Sequence, residues 1–245
     1  MNDTNKIKYL SFSLWGDSPI YTKGAIRNAA LAREVYSDWR MQVYHDDSVP
    51  LGILAELRSN GVNLIDMSAS FIYPLFWRFL AADQDDCDYA IFRDTDSRLT
   101  LRERKAVDEW IQQGSVLHIM RDHPYHHIPF GADGMGVLGG MWGIKGRVIR
   151  LEPLIRKFIA AKENEYGIDQ AFLQQIYQQF SNSKTVHDEF FEKKAFPIKR
   201  TGYRFVGERM DEYDQPIGDD WKHIKRHKKP HRSSFLSRVK RFLTK

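Results

Sequence analysis

Two aspartates in the middle of the chain have the type and spacing to bind a metal ion together. Asp94 and Asp96 directly follow the strand-like run Tyr89-Ala90-Ile91-Phe92. Because side chains alternate along a strand, residues two apart point the same way and can address one ligand. Ligands of open α/β sheets bind at the carboxyl ends of the strands. Two carboxylates there suit a hard cation such as Mg²⁺ or Mn²⁺, which often bridges to substrate phosphates.

The context of this pair separates it from the other Asp-x-Asp pairs of the chain. Two more pairs with the same spacing lie between residues 83 and 88, and neither directly follows an apolar strand-like run. The composition alone would supply about two such pairs by chance, so the spacing by itself proves little. The alternative interpretation of Asp94 and Asp96 is a solvated acidic turn, and the run before them favours the metal site.

Two further charged residues are candidates for the same site, and each has a structural alternative. Arg78 lies in the predicted buried helix from Pro74 to Ala82. Arg78 either forms an ion pair at the helix surface or directs its charge at a phosphate or at the acids of the next strand. Asp169 precedes a predicted helix over 171–180, where it serves either as the N-cap or in catalysis.

The histidines allow several interpretations. His187 ends a short predicted strand, Lys184 to Asp188, and is either a structural histidine or a metal ligand. His123, His126 and His127 stand in a long aperiodic stretch, but their spacing and the single cysteine do not match a common zinc site. This stretch is predicted to be a polar loop that orders over a substrate. The glycine-rich segment after it, from Gly139, lets backbone approach a ligand closely.

The elements that must position these residues alternate between strand and helix. The predicted strands are Ile7 to Leu14, Arg40 to Tyr44 and Val62 to Met67, and the helices between them are Lys23 to Tyr36 and Pro50 to Ser59. This alternation predicts a mostly parallel sheet covered by helices. Farther on, Thr100 and Glu103 form a capping box for a helix from Leu101 to Gln112, which Gly114 ends.

Size and cysteine content limit the class of protein. A chain of 245 residues is sufficient for one α/β domain. The single cysteine, Cys87, excludes an internal disulfide framework and fits a reducing compartment. The sequence shows neither a leader-like start nor a long uninterrupted apolar stretch, so we predict a cytoplasmic protein without a transmembrane span.

Charge is distributed unevenly along the chain. Residues 222–245 hold ten Lys and Arg and no acid, so the remainder carries 27 basic against 32 acidic residues. The tail also places Phe235, Leu236, Val239, Phe242 and Leu243 on one face of a predicted helix. A basic amphipathic helix binds anionic membrane surfaces, whereas an acidic body disfavours nucleic acid. We therefore predict a domain over 1–221 and a tail over 222–245 that attaches the protein peripherally to the inner face of a membrane; the alternative is a solubilising tail.

The order of these features resembles a glycosyltransferase of the GT-A fold. The residues that carry the resemblance are Phe92-Arg93-Asp94-Thr95-Asp96-Ser97, Gly139-Gly140-Met141-Trp142-Gly143 and Tyr166-Gly167-Ile168-Asp169-Gln170, preceded by the helix with Trp77 and Arg78. The resemblance spans about residues 7 to 220 and rests on order and spacing more than on any one motif. It implies a single Rossmann-like α/β domain with a mostly parallel central sheet flanked by helices, plus the basic tail.

The resemblance also implies roles for individual residues. The first strand and its loop would hold the nucleotide base, and the residues at those positions are Ser11, Ser13, Trp15 and Tyr21. Asp94 and Asp96 would bind Mn²⁺ or Mg²⁺ on the diphosphate of the donor, and His187 would complete the metal shell. Asp169 and Gln170 would face the donor sugar.

The chemistry of sugar transfer agrees with these residue types. A divalent ion stabilises the leaving diphosphate as a Lewis acid, and nearby cations such as Arg78 and Arg93 would add to this. An inverting enzyme needs a carboxylate base, for which Asp122, Asp133 and Asp169 are candidates. The expected reaction moves a sugar from a nucleotide diphosphate, with UDP as the expected nucleotide, to a glycan or lipid-linked acceptor.

Two other functions compete with this prediction. A phosphatase of the haloacid dehalogenase type also uses Asp-x-Asp after an apolar strand, with the first aspartate, here Asp94, as nucleophile. Arg98 stands where that motif requires a small β-branched residue. A non-catalytic protein that binds a membrane surface through its tail is the second competitor.

Overall fold

The computed structural model describes residues 6–126, 136–161 and 167–227, which form one seven-stranded sheet with helices packed on it. Along the sheet the strand order is β3-β2-β1-β4-β6-β5-β7. The strands are β1 Ile7–Leu14, β2 Arg40–His45, β3 Asn63–Asp66, β4 Cys87–Phe92, β5 Leu117–Arg121, β6 Trp142–Lys145 and β7 Lys184–Asp188. The helices are α1 Pro19–Val35, α2 Leu51–Ser59, α3 Pro74–Trp77, α4 Leu101–Gln113, α5 Leu151–Ile159, α6 Ile168–Gln179 and α7 Asp220–His227.

Every strand pairing is parallel except the two made by β6, which runs antiparallel to both β4 and β5. The prediction of a mostly parallel α/β sheet flanked by helices is therefore confirmed. The predicted helix from Pro74 to Ala82 is interrupted, because α3 covers four residues and a 3-10 turn continues it over Arg78–Asp83. The predicted capping box of α4 is formed in part: the Thr100 side chain accepts from the Glu103 N–H and Gly114 is left-handed, but the Glu103 carboxylate accepts from Arg93 and Tyr36.

Alternation along β4 sends neighbouring side chains into two different cores. Ala90 and Phe92 pack in the core that contains α3, α5 and α6. Tyr89 and Ile91 pack in the core on the opposite face, against α1, α2 and α4. If this alternation continues past the strand, even-numbered residues turn towards the α3 and α6 face, and odd-numbered residues turn towards α4.

Among the described residues, no helix has the length and apolarity needed to cross a bilayer. The predicted tail begins within a described element, because α7 extends past residue 222 and buries Ile224 completely. Residues 228–245, with the predicted amphipathic segment, lie outside the described residues.

Candidate active site

A cavity of about 560 Å³ opens at the carboxyl ends of β1 and β4. Its wall contains Asp94, Thr95 and Asp96. Asp94 continues the face of Ala90 and Phe92, whereas Asp96 lies in the turn that the Ser97 N–H closes on the Asp94 carbonyl. The structure thus brings the Asp-x-Asp pair together at the mouth of a cavity large enough for a small-molecule ligand.

Arg78 joins two of the acids in this wall. Its guanidinium donates to Asp94 Oδ1 at 2.5 Å and to Asp169 Oδ2 at 3.1 Å, and its side chain is only 5% exposed. The backbone of Arg78 is fixed by β1, because its N–H donates to Ser13 Oγ and its carbonyl accepts from Ser11 Oγ. Ser11 and Ser13 of β1 therefore fix the backbone of Arg78, and the Arg78 side chain in turn binds Asp94 and Asp169.

The glycine-rich segment before β6 is in contact with these charged groups. A Cβ on Gly140 would lie 2.0 Å from Asp94 Oδ2, and one on Gly139 would lie 2.1 Å from Asp169 Oδ2. No side chain fits at either position unless a carboxylate moves. The glycines thus allow the backbone to approach the acids, where the sequence suggested an approach to the ligand.

Burial and crowding raise the pKa of Asp96 to about 6. Desolvation is the largest cause, the negative charge of Asp94 adds to it, and Arg209 opposes both. Arg209 reaches the cavity because its segment pairs with Ser97 and because the N–H of Met210 donates to the Asp96 carbonyl. The site therefore holds more negative charge than its own cations neutralise.

Asp169 and Gln170 enter the cavity from the first turn of α6. Gly167, with φ of 83°, is the N-cap of that helix, so Asp169 lies inside the first turn and is not the N-cap. Burial raises the pKa of Asp169, and Arg78 opposes the rise. The Gln170 Oε1 atom is buried and has no hydrogen-bond partner among the described residues. This leaves an acceptor at the cavity wall for a ligand hydroxyl to satisfy.

Trp15 and Tyr21 line the same cavity near the end of β1, and both are partly exposed, at 39% and 45%. Ser13 also lines it, whereas Ser11 is fully buried behind the wall and binds the Arg78 carbonyl. The loop after β1 and the first turn of α1 thus supply one aromatic ring each to the cavity wall.

Arg93 and Asp122 do not line the cavity. Arg93 points to the α4 face, where it pairs with the buried Glu103 at 3.1 Å and donates to the carbonyls of Phe92 and Trp142. Its odd position in the alternating strand accounts for this orientation. The alternation that directs Asp94 to the cavity thus places Arg93 on the other face of the sheet.

Asp122 is fully buried in a network of arginines. It accepts two bonds from Arg102, at 2.8 and 2.9 Å, one from Arg200 at 2.6 Å, and one from the Val206 N–H at 2.9 Å. With both oxygens occupied in this way, Asp122 has the contacts of a structural anchor for the segment around Val206. Asp133, the third candidate base, lies outside the described residues.

The structure does not bring His187 to Asp94 and Asp96. Its Nδ1 atom lies 2.9 Å from His118 Nε2, its Nε2 atom lies 3.7 Å from Glu109, and its ring packs on Phe196. Burial lowers the pKa of His187 and favours the neutral imidazole. Across the described residues, no group of three or more His, Cys, Asp or Glu side chains converges on a possible metal position.

Three residues of the cavity wall with charged or imidazole side chains were not assigned to the site from the sequence. Asp17 follows β1, Arg209 comes from an irregular segment, and His126 comes from the predicted polar loop. A position just after a strand was an available signal for Asp17. Arg209 reaches the wall through contacts more than 110 residues apart in the chain, and no periodic pattern reports those.

Comparison with known proteins places the fold. No family model and no curated protein sequence matches the chain. Among solved structures, S. aureus TarS residues 1–349 match with a TM-score of 0.51 and 14% identity, over 78% of this chain and 59% of that one. A 4-diphosphocytidyl-2C-methyl-D-erythritol synthase from Anaerococcus prevotii matches with a TM-score of 0.50 and 9% identity, over 80% and 94%. Glucosyl-3-phosphoglycerate synthase from Mycobacterium tuberculosis matches with a TM-score of 0.48 and 13% identity, over 80% and 73%.

At these identities the likeness shows the fold. This chain spans about three fifths of the TarS structure and nearly all of the synthase from Anaerococcus. Fold and function are separate questions, because one fold hosts different reactions. The chain has a GT-A type α/β fold, with its cavity at the carboxyl ends of the strands.

Proposed function

We propose that the protein is a glycosyltransferase that moves a sugar from a nucleotide diphosphate donor, expected to be a UDP-sugar, to a glycan or lipid-linked acceptor. The observation that carries the proposal is the crowded pair Asp94 and Asp96 in the cavity wall, with the pKa of Asp96 raised to about 6. A carboxyl group in a cleft whose pKa is raised by burial and by a charged neighbour is a candidate for a functional residue. The GT-A fold supports the same reaction by analogy.

The carboxylates suit Mn²⁺ or Mg²⁺. Both are hard ions that prefer oxygen ligands, and Mg²⁺ in particular is held by one or two carboxylates, with substrate phosphates and water completing its shell. Asp94 and Asp96 would be the protein ligands. When bound, the ion supplies positive charge that stabilises the leaving diphosphate.

The other residues around Asp94 and Asp96 would bind the donor or keep the carboxylates in place. The rings of Trp15 and Tyr21 would flank the nucleotide base, and Arg209 would contact the diphosphate next to Asp96. Arg78 keeps the side chains of Asp94 and Asp169 in place through its two ion pairs. A buried guanidinium fixed at its backbone by two serines is preorganised for this task.

Asp169 and Gln170 would face the donor sugar. Gln170 Oε1 would accept a hydrogen bond from a sugar hydroxyl, which satisfies its buried, unpartnered oxygen. Asp169, with its pKa raised by burial, is the candidate base that lies in the cavity wall. Asp122 is poorly placed for that role, because its two oxygens are bound by Arg102, Arg200 and Val206.

The unfolding temperature with UDP, GDP or CDP, each with and without Mn²⁺, tests the proposal. A ligand that binds the folded state alone stabilises it by about 2.7 kcal/mol at a hundredfold excess over Kd. We expect one nucleotide to raise the midpoint only when Mn²⁺ is present, and Asp96→Asn to abolish that increment.

Asp85→Asn is the matched control, because Asp85 belongs to another Asp-x-Asp pair and is 92% exposed beside Arg150. The control should respond to nucleotide as the wild type does. Absence of a response to every nucleotide, together with hydrolysis of a simple phosphate ester, would favour the phosphatase with Asp94 as nucleophile. Against that reaction, the Asp94 carboxylate is already engaged by Arg78.

The second part of the proposal is attachment to an anionic membrane surface through the basic tail. Helix α7 contributes the first cations of the tail, Lys222, Lys225 and Arg226, and seven more follow it in the sequence. Deletion of 228–245 is the cleaner test, because deletion from 222 would remove the buried Ile224. The shortened protein should lose binding to vesicles rich in phosphatidylglycerol and keep the response to nucleotide; unchanged vesicle binding would refute the anchor.

A further inference from the structure

A cluster of aromatic rings and imidazoles adjoins the cavity. It consists of His123, Tyr125, His126, Phe205 and His223 and is called the aromatic ledge here. His126 lines the cavity itself. His123 lies at its centre, with ring centroids 4.7 Å from Phe205, 5.3 Å from Tyr125 and 5.5 Å from His126. Nothing in the proposed donor site uses these residues.

The tautomer of His126 is fixed by the backbone. The N–H of Asp122 donates to Nδ1 of His126 at 3.0 Å, so Nδ1 is the acceptor and Nε2 carries the proton. Burial lowers the pKa of His126 to about 3, which keeps the ring neutral. Nε2 has no hydrogen-bond partner among the described residues. His126, which lines the cavity, therefore carries a neutral N–H donor on a ring whose orientation is fixed.

Tyr125 presents a ring to solvent that is nevertheless held in place. The residue is 55% exposed, yet its hydroxyl lies 2.9 Å from Nδ1 of His223 and its ring centroid 4.5 Å from that imidazole. His223 belongs to α7, which His123 ties to the same cluster through the Asp220 carbonyl at 2.9 Å. An exposed ring held by its neighbours loses little conformational freedom when a ligand packs on it.

We propose that the aromatic ledge binds a sugar ring of the acceptor, with the Tyr125 ring against the apolar C–H face of the pyranose and His126 donating from Nε2 to one of its hydroxyls. A pyranose combines an apolar face with hydroxyls around its edge, and the ledge combines rings with a neutral donor. The inference rests on the proposed function, because it supplies the second substrate of the same reaction. The ledge meets the cavity at His126, where an acceptor hydroxyl would approach the donor sugar.

Saturation-transfer difference NMR tests this inference directly. The probes are the methyl glycosides of glucose, galactose and N-acetylglucosamine, and lactose, each with the full-length protein in the presence of UDP and Mn²⁺. At least one probe should receive saturation at its ring protons. Tyr125→Ala should weaken its binding about tenfold, and Tyr125→Phe, which keeps the ring but loses the bond to His223, should weaken it less.

Tyr213→Ala is the matched control, because Tyr213 is 71% exposed and lies beside Lys23, outside the ledge. It should bind the probes as the wild type does. The ledge is refuted if no probe receives saturation, or if Tyr125→Ala and wild type bind the probes equally, while the nucleotide still raises the unfolding temperature. Failure of the nucleotide response alone refutes the proposed donor site and leaves a Tyr125-dependent sugar signal as support for the ledge.

Discussion

A single methyl group placed at Gly140 should damage the metal site while leaving the fold intact. The Cβ of Gly140→Ala would lie 2.0 Å from Asp94 Oδ2 and 2.5 Å from its Cγ. Unstrained contacts between such atoms are about 3.5 Å, so the carboxylate must move by roughly 1.5 Å. The backbone accepts alanine there, because Gly140 does not have a left-handed φ.

The consequence for binding should be much larger than that for stability. The Asp94 carboxylate is at the end of a flexible side chain and can rotate away. Replacing glycine by alanine also lowers the entropy of the unfolded chain, which stabilises the folded protein by about 0.4–1 kcal/mol. Rotation takes Asp94 out of its pairing with Arg78 and away from the position in which it lies beside Asp96. Disturbances next to a metal ligand typically cost about 10–100-fold in metal affinity, which is the loss expected here.

The assay is a Mn²⁺ titration at saturating nucleotide, followed by the unfolding temperature and by the electron paramagnetic resonance signal of free Mn²⁺. Gly52→Ala is the matched control: it makes the same change inside α2, where the new Cβ meets nothing within 4 Å. The control should bind Mn²⁺ normally and gain about 0.5–1 kcal/mol of stability. Normal Mn²⁺ affinity in Gly140→Ala would refute Asp94 as a ligand.

Three further predictions separate function from structure among the charged residues. Asp96→Asn should raise the free energy of unfolding of the metal-free protein by about 1–3 kcal/mol above pH 6. The reason is that the pKa of Asp96 is about 6 in the folded protein and 3.8 ordinarily, so the wild type loses stability as the pH rises from 3.8 to 6. Urea unfolding across this pH range measures the effect, and identical stability curves for both proteins would contradict the prediction. Glu103→Ala should lower the free energy of unfolding by about 3–5 kcal/mol, because it leaves Arg93 buried without its partner. The molecules that remain folded should still be stabilised by nucleotide. If the variant were fully folded and did not respond to nucleotide, Arg93 would belong to the donor site after all. Asp122→Asn should lower the urea midpoint and keep turnover per folded molecule. Asp169→Asn should abolish turnover in the molecules that remain folded; the opposite assignment in kcat measurements would identify Asp122 as the base.

The strands could be predicted because they depend on local alternation, and the Asp-x-Asp pair could be predicted because it directly follows one of them. Ile7 to Leu14 was predicted with both ends correct, and the pair was recognised by the apolar run before it. The same rule, applied to Arg93, would have directed that side chain to the opposite face of the sheet. The antiparallel direction of β6 could not be predicted in this way, since direction depends on the path of the loop and not on the residues of the strand.

A position just after a strand does not determine whether an aspartate lies in the cavity wall. Asp94 and Asp122 both lie just beyond strands that carry apolar side chains, β4 and β5. They differ in their partners, because Arg102 and Arg200 enclose Asp122 completely, whereas Asp94 keeps 48% of its side chain exposed. Those arginines are 20 and 78 residues away in the chain, so no local pattern distinguishes the two aspartates.

The charge of the cavity explains why metal and nucleotide should bind as a unit. The charged residues in the described part of its wall are four aspartates and two arginines, namely Asp17, Asp94, Asp96, Asp169, Arg78 and Arg209. With His126 neutral, the wall carries two negative charges in excess, which repel an anionic diphosphate. A divalent cation cancels that excess and attracts the diphosphate. Nucleotide without metal should therefore bind poorly. If nucleotide raised the unfolding temperature equally with and without Mn²⁺, Arg78 and Arg209 alone would have to hold the diphosphate, and the role assigned to Asp94 and Asp96 would fail.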